Sequence, residues 1–426
     1  MIMAMIRPEI DMKDSGIEYV GAIPKDWDLV RLRAYFGERK NKNKDGNETN
    51  LLSLSYGRII RKNIDKTDGL LPASFNTYNI VEKNDIIIRP TDLQNDKRSL
   101  RTGLVTEHGI ITSAYIDLMP IGNVDSRFVH YLLHSYDILK VFYNMGSGVR
   151  QGLNYSEFSK LKVPMPLLSE QQAIADYLDE TCSRIDEIIA EAKASIDEYK
   201  ELKQSVIFEA VTKGLDKNVE MKDSCVEWIG EMPDSWNIRM LNQYVSQVKC
   251  KNSDLSETNL LSLSYGKIKR KDINSNGGLL PESVDNYNIV DENDIVLRLT
   301  DLQNDHKSLR VGLVTERGII TSAYVTIRPK KINAAYLALL LQAFDYKKGF
   351  YGMGSGIRQG LTFDGVKSLK IVVPSVFEQD DIVKHVMKMT DKCDSLIAEK
   401  ESLIKDLESY KKSLIYEVVT GKRRVV

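Results

Sequence analysis

The chain is short of several things, and each shortage removes a class of answer. Its four cysteines, Cys182, Cys225, Cys250 and Cys393, stand far apart with no CxxC pair, so neither a disulfide framework nor a zinc cluster is expected. Apolar runs such as Tyr336–Leu341 fall far short of the roughly 20 residues that a membrane span requires. Residues 1–10 lack the basic start and apolar core of a secretory signal, which makes the cytoplasm the expected address. An excess of charge is missing too. With 59 basic against 60 acidic residues the net charge is −1, so the total announces no polyanionic partner and only the distribution can.

What is present is a globular composition, 42% hydrophobic and 28% charged over 426 residues, enough for two to four domains. Its dominant feature is an internal repeat. Arg89–Tyr115, RPTDLQNDKRSLRTGLVTEHGIITSAY, returns at a constant offset of 209 as Arg298–Tyr324, with 22 of 27 positions identical. The repeat extends well beyond this stretch. Gly16–Phe36 returns as Cys225–Val245, matching Pro24 and Trp27 to Pro233 and Trp236, and reads as a turn followed by a docking aromatic. Leu51–Gly57 returns unchanged as Leu260–Gly266 and reads as a buried strand, followed by a basic turn containing Arg58, Arg61 and Lys62 or Lys267, Arg270 and Lys271. Asp85–Arg89 and Ile110–Leu118 read as further strands, as do their copies. Asp125–Asn144 and Asn333–Gly352 show helical spacing, with Asp125 and Asn333 as N-caps. Each leads into a glycine-rich loop, Met145–Leu153 or Met353–Leu361, now at offset 208.

Two long segments differ in kind. Ser169–Val211 runs 43 residues without Gly or Pro, with a 4-3 apolar seam through Ile185, Ile189, Ala192, Ile196, Tyr199, Val206 and Ala210. Ser169 with Gln172 reads as a capping box, and Gly214 ends the helix. The second copy begins at Ser375 with Glu378, carries Cys393, Ile397, Ile404, Leu407, Leu414 and Val418 along the seam, and closes at Gly421. Lys203, Lys400 and Lys411 interrupt these seams, which disfavours self-pairing and favours pairing of each helix with its sister. The expected fold class is mixed α/β (α+β): two tandem globular domains, each followed by a long helix, with the helices forming an antiparallel coiled coil of pseudo-twofold symmetry. The expected segments are a flexible start at 1–15, domain 1 at 16–166, spacer 1 at 167–214, domain 2 at 215–374, spacer 2 at 375–421 and a tail at 422–426. At about 1.5 Å per residue such a helix spans on the order of 65 Å, roughly two turns of B-DNA.

Reading bases in the major groove requires side chains that make paired hydrogen bonds, Arg or Lys to guanine and Asn or Gln to adenine. The repeated polar segments supply those types: Gln94, Asn95, Arg98, Arg101, Arg150 and Gln151 in one copy, and Gln303, Asn304, Lys307, Arg310, Arg358 and Gln359 in the other. Arg58, Arg61, Lys267 and Arg270 add positive charge beside them. Lys62, Lys97, Lys271 and His306 suit phosphate contacts, which position without specifying. Tyr56 and Tyr265 either contact sugar-phosphate or a base face, or cap the core of their strand. Asp92 and Asp96 read as structural. The bland reading of all these residues is a set of solvated loops and salt bridges.

Catalytic readings find no support. Gly146-Ser147-Gly148 follows a helix and lacks the spacing of a nucleotide-binding loop. His130 and His134 stand one helical turn apart, but the second copy has Ala338 and Gln342 there, so they read as surface residues of a structural helix. Glu198-Tyr199-Lys200 has a nuclease-like spacing in mid-helix without a partner carboxylate. No Ser/His/Asp set recurs in both halves.

The paired openings YVGAIPKDW and WIGEMPDSW, the joints MGSGVRQGLNYSEFSKLKVPMPLLSEQQ and MGSGIRQGLTFDGVKSLKIVVPSVFEQ, and the tandem layout resemble the specificity subunits of Type I restriction-modification systems over the whole chain. The resemblance implies a non-catalytic subunit with two target-recognition domains that reads a bipartite site in double-stranded DNA. It also implies two adenine methyltransferase subunits and motor-nuclease restriction subunits as partners, with S-adenosylmethionine, ATP and magnesium bound by them and no cofactor in this chain. The acidic outer helix faces would be their docking surfaces. Such recognition domains often differ strongly within a chain, whereas here they are close copies, which favours closely related half-sites and a near-palindromic target. The alternative is a stand-alone sequence-specific DNA-binding protein without an enzymatic partner.

Overall fold

The computed structural model describes residues 4–64, 72, 74–93, 96, 100–145, 152–271, 283–302, 305, 308–353 and 360–425. They form two compact units, Met1–Ala192 with Ser402–Val426, and Lys193–Glu401. The α-helices are α1 (Ser126–Ile138), α2 (Tyr155–Phe158), α3 (Leu168–Lys213), α4 (Ala334–Tyr346), α5 (Phe363–Val366) and α6 (Val376–Val419).

In the first unit an antiparallel sheet runs in the order Thr102–Leu104, Ile86–Ile88, Ile116–Pro120, Phe36–Glu38. Its central triplet is buried throughout because both faces are covered. Ile86 and Ile88 join the main core with Phe128, Leu132 and Tyr136 of α1, while Ile87 faces a small cluster with Leu52, Val81, Val105 and Ile111. The two-residue period of a strand sends neighbours to opposite faces, so a continuous apolar run marks a strand buried on both sides. α1 starts where Asp125 accepts the Arg127 backbone N–H at 2.8 Å, as an N-cap should. α2 carries a reciprocal capping box between Asn154 and Glu157.

The second unit repeats this plan, with a sheet in the order Val245–Val248, Val325–Pro329, Ile295–Leu297, Val311–Leu313 and α4 capped by Asn333. Trp27 and Trp236 are almost wholly buried. Each donates its indole N–H to a glutamate in the first turn of a long helix, Trp27 to Glu170 at 3.0 Å and Trp236 to Glu378 at 2.9 Å.

Three expectations change. The basic turn after Leu51–Gly57 is a strand: Arg58–Arg61 pairs with Leu52–Ser55, and Lys267–Arg270 with Leu261–Ser264. The start of the chain is not frayed from residue 4 on, because Ala4–Ile6 pairs with Arg423–Val425 from the expected tail and Met12–Asp14 pairs with Ala22–Pro24. α3 begins at Leu168, one residue before Ser169, so the Ser169–Gln172 box does not form its start. The box at the second helix does form, with Ser375 Oγ donating to Glu378 at 2.7 Å and accepting the Glu378 N–H at 3.4 Å. In the first unit Leu167 stands where Ser375 stands in the second, and Arg7 bonds the helix glutamate instead.

Two of the three seam lysines find carboxylates on the sister helix. Within the first unit Lys411 donates to Asp186 at 2.6 Å, and within the second Lys203 donates to Asp394 at 2.5 Å. The same aspartates also receive a cation from the hairpin, Arg58 at 2.9 Å and Lys267 at 3.3 Å.

Candidate nucleic-acid interface

Each unit presents a hairpin and two loops. In the first hairpin the connecting residues are Tyr56 and Gly57, with φ of 45° and 81°; in the second they are Tyr265 and Gly266, with φ of 48° and 76°. Two successive left-handed residues are what a two-residue hairpin needs to match the twist of its strands, and Asn-Gly is the usual solution. Here a tyrosine takes the strained position. Tyr56 is 80% exposed and Tyr265 76% exposed, so neither caps a core and both display an aromatic face to solvent.

The basic residues of the hairpin are exposed but not all idle. Arg61 Nε donates to both carboxylate oxygens of Glu107 at 2.8 and 2.7 Å, and Arg270 does the same with Glu316 at 2.8 Å to each oxygen. The pairing holds both glutamates below the usual carboxylate range. Phosphate contact by Arg61 or Arg270 therefore means exchanging one anion for another. Arg58 and Lys267 reach the helix aspartates described above. Lys62 and Lys271 are exposed, and their backbone N–H groups donate to Leu51 and Leu260 at 2.8 Å.

The two loops meet at their bases. The Leu153 N–H donates to Pro90 O at 3.0 Å, and the Leu361 N–H to Leu299 O at 2.8 Å. The Tyr143 hydroxyl donates to Asp96 O at 3.3 Å, and the Tyr351 hydroxyl to Asp305 O at 3.1 Å. In each unit the described ends of the TDLQND segment and of the glycine-rich stretch are thus bonded to one another. Their expected reading residues lie outside the described residues: Gln94, Asn95, Lys97, Arg98, Arg150 and Gln151, and Gln303, Asn304, His306, Lys307, Arg358 and Gln359.

Arg101 and Arg310 require a correction. Expected to reach bases, both are 0% exposed. Arg101 donates to the carbonyls of Thr91 at 2.6 Å, Asp92 at 3.0 Å, Asp96 at 2.6 Å and Arg89 at 3.4 Å, and to the Tyr143 hydroxyl at 3.1 Å. Arg310 repeats the set on Thr300, Asp301, Asp305, Arg298 and Tyr351. The guanidinium carbons lie 5.1 and 4.9 Å from the tyrosine ring centroids, within cation–π range. Both arginines also donate their backbone N–H to a buried aspartate, Asp137 at 2.5 Å and Asp345 at 2.7 Å. Burial raises both carboxyls, Asp345 to about 6. The sequence reading passed over Tyr143, Tyr351, Asp137 and Asp345, although their recurrence at offset 208 was a usable signal.

His130 and His134 are not open surface residues. They line a cavity of about 550 Å³ in the first unit with Tyr56, Arg58, Asp179 and Asp186, and burial pushes them down, His130 to about 3 and His134 to about 4. Among the described residues no cluster of three or more His, Cys, Asp or Glu could hold a metal ion, and no helix is long and apolar enough to cross a membrane.

Comparison with known proteins points one way. The Type I restriction modification DNA specificity domain matches residues 24–198. The MjaVIII specificity subunit of a type I restriction enzyme from Methanocaldococcus jannaschii is 24% identical over 424 residues, covering 95% of this chain and 94% of its own length. The same organism's MjaX specificity subunit is 24% identical over 430 residues, covering 95% and 96%. A chain from a solved type I R-M system superposes with a TM-score of 0.68 at 12% identity, covering 94% of this chain and 99% of its own. The HsdS subunit from Thermoanaerobacter tengcongensis gives 0.52 at 12% identity, covering 94% and 98%.

Proposed function

We propose that the chain is a DNA specificity subunit of a Type I restriction-modification system, as its likeness to such subunits supports, and that each of its two units reads one half of a bipartite DNA site. In this reading the chain itself is non-catalytic. The observation that carries the reading is the duplication of the candidate surface: each unit joins an exposed hairpin tyrosine, a basic strand and two loops bonded at their bases. Gln94, Asn95, Arg150 and Gln151, with Gln303, Asn304, Arg358 and Gln359, supply the base-reading side chains. Lys62, Lys97, Lys271 and His306 set the register on phosphates. Tyr56 and Tyr265 lay their rings against sugar or base.

The partners in this proposal are two adenine methyltransferase subunits, which bind S-adenosylmethionine, and restriction subunits, which use ATP and magnesium. This chain holds no cofactor. The site of action is the cytoplasm, where the DNA to be read lies. Co-expression of the chain with its methyltransferase in a host free of adenine methylation tests the proposal. Methylation at a two-part motif only when both are present is expected. Methylation by either protein alone at the same motif contradicts it.

A further inference from the structure

We infer that Arg101 and Arg310 are positioning residues for base reading: each guanidinium clasps its unit's TDLQND loop and ties it to the base of the neighbouring glycine-rich loop, without touching DNA. The inference rests on the DNA-reading role proposed above. A buried cation is costly unless it is well satisfied, and an apolar side chain of similar volume often serves a core better. The chain nonetheless keeps a wholly buried arginine at the matching place in both copies. Among the described residues its side chain meets no carboxylate. Its N–H groups go instead to the carbonyls at 89, 91, 92 and 96, or 298, 300, 301 and 305, which all belong to one loop.

That loop is therefore held on both sides of Gln94-Asn95 and of Gln303-Asn304, the amides best suited to adenine. Buried Leu93 and Leu302 add an apolar anchor beside them. The remaining bond completes the clasp. The Tyr143 hydroxyl accepts from Arg101 and donates to Asp96 O, and Tyr351 does the same between Arg310 and Asp305 O. Each tyrosine precedes a glycine-rich loop carrying Arg150-Gln151 or Arg358-Gln359. One guanidinium thereby fixes two reading loops relative to each other. A lysine cannot replace it, because three N–H groups on a point charge do not span a planar fork of four carbonyls.

The test uses the full chain with its methyltransferase in a host without adenine methylation, and reads the methylated motif base by base. Arg101→Lys is expected to relax the base preference of one half-site by about tenfold or more and leave the other intact, while Arg310→Lys relaxes the opposite one. Tyr143→Phe, which removes only the hydroxyl, is expected to relax the same half-site as Arg101→Lys to a smaller degree. It carries the test alone if the lysine variant does not accumulate as folded protein. An unchanged motif in Tyr143→Phe and in the folded lysine variants overturns the clasp. So does a uniform drop in methylation with both half-sites read as before. A parental chain that directs methylation to no motif overturns the DNA-reading role itself.

Discussion

At the scale of single residues, the tyrosines at the hairpin tips carry the clearest conflict between stability and exposure. A non-glycine residue in the left-handed region costs on the order of 1 kcal/mol or more, and such strain collects at functional sites. Tyr56→Asn and Tyr265→Asn place the preferred turn residue there. Each is expected to raise unfolding stability by about 1 kcal/mol in thermal denaturation while weakening DNA binding measured by fluorescence anisotropy; unchanged binding would remove these rings from the interface. Asp117 gives a second test. Its carboxyl is 1% exposed and pushed up to about 8, by burial first and by neighbouring Asp85 second, with Arg39 at 3.9 Å opposing. A raised carboxyl keeps its proton in the folded chain after the unfolded chain has lost it. The first unit is therefore expected to lose stability as pH climbs from about 4 towards about 8. Asp117→Asn should flatten that slope and gain on the order of a few kcal/mol above pH 8, as melting curves across pH would show. The second copy already has Thr326 at the matching position. Sequence alone could mark Arg101 as repeated and cationic, but not as buried, because its partners are backbone carbonyls, which have no letter in a sequence.

At the scale of elements, the long helices were legible because their seams persist for many turns without Gly or Pro. The N-caps at Asp125 and Asn333 were legible because capping is local. The hairpin was not, because Tyr-Gly replaces the usual Asn-Gly and a basic strand on an exposed edge reads like a turn. The pairing of Ala4–Ile6 with Arg423–Val425 joins the two ends of the sequence, a contact that no local pattern reports. Two of the lysines that interrupt the seams, Lys203 and Lys411, acquire a reason once their carboxylates are known. Asp186 binds Lys411 and Arg58, and Asp394 binds Lys203 and Lys267, so each aspartate joins a helix pair to its hairpin. These groups are partly exposed, which limits each pair to about 0.5–1 kcal/mol. A double-mutant cycle of Asp186→Ala and Lys411→Ala is expected to return a coupling of that size, and additive losses would show that the pair contributes nothing. Ser375→Ala, which removes the cap of α6, should cost about 1 kcal/mol in denaturant unfolding, whereas Ser169→Ala, inside α3, should cost far less.

At the scale of the whole molecule, the chain is one domain plan written twice, and the loops proposed to read bases are nearly unchanged between the copies. Gln94, Asn95, Arg150 and Gln151 all recur, while the nearby changes are Lys97 to His306 and Arg98 to Lys307. Two units that carry the same side chains on the same clasped loops should prefer the same bases, so the central claim becomes a statement about the target. The most direct measurement is a genome-wide map of methylated adenines in a host carrying this chain and the methyltransferase proposed as its partner. Two half-sites of the same or closely related sequence, separated by a non-specific gap, are the predicted result. Two unrelated half-sites, or an undivided motif, would contradict it.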